Sequence, residues 1–181
     1  MNSPLGRIKN CAPPTYQDKL ADLIRSEKPL VVVETGVDRG FGTEHILAAL
    51  DDTGQGHLYS IDPMDKNHLT NGCGPFPDFY DQHPIVHPRF TLIRKLSKDA
   101  LRPLFGRVGF FDLFIHDSDH SFECQAYEYE AAWGMVRSGG IIASDDIAWG
   151  IPPHRAWDQF KERHGITDAV IAGTMQYFKR P

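Results

Sequence analysis

The 181-residue chain lacks several features that would settle its class early. No apolar run is long enough to cross a membrane as a helix, so no membrane partner is expected. Only three cysteines occur, Cys11, Cys73 and Cys124, far apart and without a CxxC pair. That argues against a zinc knuckle or a disulfide framework, and a reduced cytoplasmic setting is the expectation. Positive charge is not in excess: 19 Lys and Arg stand against 24 Asp and Glu. No general field for nucleic acid follows, and no nucleic-acid partner is expected. Met1 to Pro14 is polar and Pro-rich, without the apolar stretch of a signal peptide. Repeats, low-complexity tracts and domain linkers are missing too. So are a GxGxxG turn and a Tyr-x-x-x-Lys pair, which weakens a nicotinamide reading.

What is there suits one α/β domain over residues 1–181. Apolar strand-like runs alternate with amphipathic stretches, the mark of βαβ units. An N-terminal extension and helix occupy 1–28, with Tyr16, Leu20, Leu23 and Ile24 near one face of residues 15–28. Pro29 breaks that helix, and Leu30–Glu34 reads as a strand buried on both faces. A glycine turn, Gly36–Gly42, leads to a helix over about 43–51. Further strands are expected at His57–Asp62, Phe90–Arg94, Phe111–His116 and Gly140–Ser144. Helices are expected from about Lys98, over 121–137 with Ser138-Gly139-Gly140 as the stop, and over Pro153–His164. Strands near 167–172 and 174–179, parted by Gly173, read as a hairpin. The fold class is a Rossmann-like, doubly wound, seven-stranded, mostly parallel sheet with a C-terminal antiparallel hairpin. Residues 63–89 form a long loop with a short helix near Phe76–Asp81, either a lid or a plain surface loop.

In such a sheet, ligands bind beyond the carboxyl ends of the strands. The first strand runs into Glu34-Thr35-Gly36-Val37-Asp38-Arg39-Gly40-Phe41-Gly42-Thr43. Gly36 and Gly40 would let a ligand approach the backbone. Glu34 would repel a pyrophosphate but could hold a cationic amino group. A plain tight turn explains the glycines equally well. Asp62 ends the second strand about 20 residues on, where an acid can accept from both ribose hydroxyls. Ser97, after the third strand, could face an adenine edge or cap the next helix. The candidate cofactor contacts are therefore Glu34, Thr35, Gly36, Asp38, Gly40, Thr43, Asp62, Ser97 and Asp117.

A second group is acidic. The fourth strand ends His116-Asp117-Ser118-Asp119-His120 and the fifth ends Ser144-Asp145-Asp146. Parallel strands bring these acids to one edge. Crowded carboxylates must be protonated, paired or metal-bound. Asp117, Asp145 and Asp146 form an oxygen-rich ligand set suited to Mg2+ or another divalent cation. Asp119 and His120 are the candidate bases; the plainer reading makes both helix-capping residues.

Glu34–Gly40, Ser60-Ile61-Asp62, Phe114–Glu123, Gly139–Ile142 and Asp145-Asp146, in this order and spacing, resemble class I S-adenosylmethionine-dependent methyltransferases. The likeness spans about residues 30–147. It is strongest to the small metal-dependent O-methyltransferases of macrocin type, also called methyltransferase-24-like, and more distant to the catechol type. The resemblance implies S-adenosyl-L-methionine as cofactor. Glu34, Gly36 and Gly40 would then line its methionine side, Asp62 hold the ribose, and Ser97 face the adenine. It implies Asp117, Asp145 and Asp146 as metal ligands. Asp119 matches the base of the sugar-modifying enzymes and His120 that of the catechol type. His116, Ser118 and Gly42 depart from the pattern.

The function so implied is O-methylation of a small hydroxylated acceptor: a sugar, polyol or phenol. The acceptor itself and any homo-oligomeric state are left open. The alternatives are a nicotinamide-dependent oxidoreductase and a non-catalytic adenosyl-binding protein on the same fold.

Overall fold

A computed structural model describes residues 15–63, 84–147 and 151–181. Helix α1 spans Tyr16–Glu27. Thr15 opens it with a capping box: its hydroxyl accepts from the Asp18 N–H while Asp18 accepts from the Thr15 backbone. Lys28 ends it in a left-handed conformation ahead of Pro29. The chain continues through β1 (Val31–Thr35), α2 (Phe41–Thr53), β2 (His57–Ile61), β3 (Phe90–Ile93), α3 (Ser97–Val108) and β4 (Phe111–His116). It ends with α4 (Phe122–Met135), β5 (Val136–Ser144), α5 (Ile151–His164), β6 (Val170–Ala172) and β7 (Met175–Lys179).

The seven strands are ordered β3-β2-β1-β4-β5-β7-β6. β1 to β5 pair in parallel, β7 runs antiparallel to β5, and β6 is the hairpin partner of β7. This is the Rossmann-like sheet that the alternating pattern implied. Burial on both faces explains the unbroken apolar runs. Val33, Ile61, Phe114, Ile142 and Phe178 point into one core, beneath α3, α4 and α5. Their neighbours Val32, Leu58, Leu113, Ile115, Ile141 and Ala143 fill the other, against α1 and α2. The alternation is the period of two that a strand imposes.

Two boundaries differ from the sequence reading. α4 does not run on to a glycine stop; it ends at Met135, and β5 starts at once with Val136. Val136 is β-branched, extended and buried, and pairs with Phe111. The Ser138-Gly139-Gly140 segment is drawn into the sheet edge by the chain's end. Gly139 N–H donates to Arg180 O, and Arg180 N–H to Gly140 O, both at 2.7 Å. In α3, Leu96 occupies the N-cap without a side-chain bond, so Ser97 is the first helical residue rather than the cap. The helix expected near Phe76–Asp81, and most of the 63–89 loop, lie outside the described residues. The loop's end returns onto the fold, with Ile85 packed against the α1–α2 core. Among the described residues, no helix is long and apolar enough to cross a membrane.

Phe114 lies at the sheet centre with no exposure, whereas Phe110, just before β4, is 56% exposed. Phe114→Ala should lower the unfolding free energy by about 3–5 kcal/mol, and Phe110→Ala by less than about 1 kcal/mol, in urea titrations.

Candidate active site

The carboxyl ends of β1, β2, β4 and β5 share one edge, and the candidate residues gather there. Glu34 is buried, and its Oε2 accepts from Thr43 Oγ1 (2.8 Å) and Ser60 Oγ (2.6 Å). Burial outweighs those two bonds, and Asp62 adds like charge, so the Glu34 carboxyl is pushed up to about 7. Asp62 Oδ2 accepts from the Val37 N–H at 2.8 Å and so braces the turn after β1.

The glycines serve the protein's own packing. Gly36 has φ +86°, and a Cβ there would lie 1.9 Å from the Asp117 carbonyl oxygen. The turn after β4 therefore rests directly on it. Gly40 has φ +84°, and its missing Cβ leaves room for Ile85. At both positions the space a side chain would need is taken by the protein's own atoms. Gly42 does border the site: a Cβ there would come within 3.4 Å of Glu34 Oε1 and 3.6 Å of the Tyr16 hydroxyl. Asp38 lies in the same turn at φ +45°. Thr35 is wholly buried, with its hydroxyl committed inward.

The acids after β4 and β5 form the second half. Asp117 Oδ2 accepts from the Tyr16 hydroxyl at 2.9 Å. Burial and the neighbouring charges of Asp145, Glu34 and Asp146 push the Asp117 carboxyl well above the carboxylate range, and the Tyr16 bond only partly opposes them. Asp145 is buried and accepts from Thr174 Oγ1 at 2.6 Å; burial raises it too. Tyr16 in turn is pushed up by burial and by the charges of Asp117 and Asp145. Asp146 has φ +53°, and its Oδ2 lies 3.4 Å from His120 Nε2. Asp117, His120 and Asp146 each offer a ligand atom within 4.8 Å of the others, a grouping able to hold a metal ion. Asp145 stands beside it, tied to Thr174. Asp119 is exposed, and its two oxygens accept from the backbone and hydroxyl of Ser121, the N-cap of α4.

Two residues of the site escaped the sequence reading. Tyr16 looked like helix packing, and nothing local marked its hydroxyl as the roof of the acids. Glu128 in α4 is fully buried. Its Oε2 accepts from Thr35 Oγ1 and His116 Nδ1, both at 2.6 Å, and its Oε1 from Ser118 Oγ at 2.9 Å. Burial alone would raise the Glu128 carboxyl, yet His116 and the Ser97 and Thr35 hydroxyls hold it below the usual range. Ser97 therefore faces Glu128 in the structure. The available signal was helical spacing: Gln125, Glu128, Tyr129 and Ala132 fall on one face, and all are buried. The aromatic residues after the acids divide as packing would suggest. Trp157 is core, with Nε1 donating to Gln176 Oε1, and His154 is an exposed partner of Asp158.

Residues 33–147 match the model of a family described as a methyltransferase domain. The chain belongs to that family. No protein of curated function matches the sequence. Among solved structures, an O-methyltransferase from Bacillus cereus in complex with SAH superposes with a TM-score of 0.66 at 16% identity, over 95% of this chain and 84% of that one. CalS11, a TDP-rhamnose 3'-O-methyltransferase of calicheamicin biosynthesis, gives a TM-score of 0.65 at 15% identity, over 89% and 77%. The MycE methyltransferase of mycinamycin biosynthesis, in complex with Mg and SAH, gives 0.62 at 17% identity, over 89% of this chain and 48% of that one. The expected class I, S-adenosylmethionine-dependent methyltransferase fold holds, and the nicotinamide alternative falls away.

The Glu34 shift predicts a pH dependence in the protein without ligand. A folded-state value raised from 4.5 to about 7 means that the folded protein holds the proton more tightly than the unfolded chain. The stability linked to Glu34 is full below about pH 4.5 and is lost as pH rises through about 7. Glu34→Gln stays neutral and keeps an oxygen for Ser60 and Thr43. Between pH 4 and 8, wild type should lose about 3 kcal/mol relative to that variant in denaturant titrations.

Proposed function

We propose that the chain is an S-adenosylmethionine-dependent O-methyltransferase acting on a small hydroxylated acceptor with help from a divalent cation. The observation that carries this is the crowding of Asp117 and Asp146 around the His120 ring nitrogen, with the charge of Asp145 beside Asp117. Undercompensated negative charge at one sheet edge suits cations, and a sulfonium and a metal ion are both cations.

The donor set fits Mg2+, which takes carboxylate oxygens and keeps several waters. Asp117, Asp145 and Asp146 would hold it, and when bound it would lower the acceptor hydroxyl's pKa and orient it. His120, turned to the same acids, takes the proton from that hydroxyl. Asp146 at its Nε2 side orients the ring. Asp119 is the weaker candidate base because Ser121 engages both its oxygens. Glu34, facing Gly42, receives the cofactor's ammonium group, and Asp62 takes the ribose. Gly36, Gly40, Thr35, Thr43 and Ser97 support that half of the site through backbone and packing. The TDP-rhamnose 3'-O-methyltransferase activity of CalS11 favours a sugar hydroxyl among the acceptors. A cytoplasmic setting completes the reading.

A second reading has His120 as a metal ligand, since its nitrogen belongs to the tight group; a softer cation would favour it. One set of variants separates the two. Asp146→Ala should weaken Mn2+ binding, read by electron paramagnetic resonance, and cut methyl transfer to a panel of sugar nucleotides, polyols and catechols by roughly 100-fold or more. His120→Ala should keep Mn2+ binding and lose kcat by roughly 100-fold. Loss of Mn2+ binding in both variants would make His120 a ligand. Unchanged turnover in Asp146→Ala would remove the metal from the reaction.

A further inference from the structure

Glu128 touches none of the residues given a chemical role above, yet it is bonded on either side of them. Its donors come from separate elements: Thr35 at the end of β1, His116 at the end of β4, and Ser118 in the following turn. Cys124, one turn earlier in α4, adds a longer contact of 3.4 Å. Thr35 lies between Glu34 and Gly36. His116 and Ser118 flank Asp117. The two backbone segments that present Glu34 and Asp117 are thus tied from beneath to one carboxylate. They are tied to each other as well, through Asp117 N–H to Thr35 O at 2.9 Å and the stacking of Asp117 O over Gly36.

The geometry matters because strand alternation sends the side chains of Thr35 and His116 away from the site edge. Those side chains cannot serve substrate, but they can fix where their neighbours stand. An ionised carboxylate with several hydrogen-bond donors is a stiff joint, because each donor would be left unpaired in a dry interior if it moved. His116, moreover, is held at both ring nitrogens, by Glu128 at Nδ1 and by the Gln125 amide at Nε2 (3.2 Å).

We propose that Glu128 is the positioning residue of this methyltransferase: through Thr35, His116 and Ser118 it holds the cofactor-side and acid-side loops in register. The inference rests on the functional reading above only in what the loops are for. It predicts a local loosening that a general loss of stability would not produce.

The decisive variant is Glu128→Gln, which keeps the shape but replaces an acceptor oxygen with a donor. Leu104→Ala serves as the control, a core truncation in α3 with no bond to the network. Two readouts are needed: S-adenosylhomocysteine binding by calorimetry, and amide hydrogen exchange resolved by peptide. For Glu128→Gln, exchange over 34–40 and 115–121 should rise at least about 10-fold while the rest of the chain stays as in wild type, and S-adenosylhomocysteine binding should weaken about 10-fold. Leu104→Ala should lower the melting temperature without either effect. Wild-type binding and exchange in Glu128→Gln would overturn the proposal. So would a rise spread over the whole chain, as in the control. If Glu128→Gln does not fold, Ser118→Ala and Thr35→Val each remove one donor and should show the same local pattern at smaller size; unchanged exchange in both would again overturn it. If wild type fails to bind S-adenosylhomocysteine while the two loops still loosen in Glu128→Gln, the functional reading fails and the positioning role stands.

Discussion

Everything at the carboxyl edge of this sheet depends on how well each buried carboxylate is compensated. Removing a carboxylate from water is costly unless donors or opposite charges replace the lost hydration. Glu128 is given two hydroxyls and an imidazole N–H, and its carboxyl falls below the usual range. Glu34 receives two hydroxyls on one oxygen, and burial wins. Asp117 receives one phenol among three like charges, and its carboxyl is pushed well above the ordinary range. Carboxyl groups within one small volume thus stay ionised where satisfied and are pushed up where not. Groups whose environments push them apart in this way mark functional sites.

That ordering also explains which parts of the molecule the sequence made legible. β1 and β4 stood out because a strand buried on both faces must be largely apolar, and Val31-Val32-Val33 or Leu113-Phe114-Ile115 has few other uses. The acids at strand ends stood out because parallel topology brings such ends together. Asp62, Asp117, Asp145 and Asp146 were readable from position alone. Compensation was not readable, because it depends on contacts between residues far apart in the chain. Tyr16 and Asp117 are 101 residues apart, and Thr35 and Glu128 are 93 apart. In the same way, the α4 boundary was misread because Gly139 and Gly140 are claimed by Arg180, which follows β7.

The glycines carry a related lesson. A glycine turn after a first strand invites the inference that a ligand presses on the backbone. At Gly36 the object pressing on the backbone is the protein itself, the carbonyl of Asp117. The turn still serves the site, but by letting two loops approach until Glu34 and Asp117 share one wall. Close packing, rather than ligand contact, is what a side chain at position 36 would destroy first.

Tyr16 closes the argument. Its hydroxyl donates to Asp117, beside the charge of Asp145, so helix α1 is anchored to the acids by a single neutral donor. One phenol proton cannot offset two neighbouring carboxylates, and the raised values on all three groups say as much. A cation placed among these acids would take over the compensation that Tyr16 supplies and lower the carboxyls together. The structure therefore carries, at this one edge, more negative charge than its own donors can balance, while the layer beneath, around Glu128, is balanced and fixed. A rigid base under an unbalanced surface is the arrangement that electrostatic preorganisation requires. The missing charge is positive, as is that of the sulfonium and the divalent ion that the proposed reaction brings together.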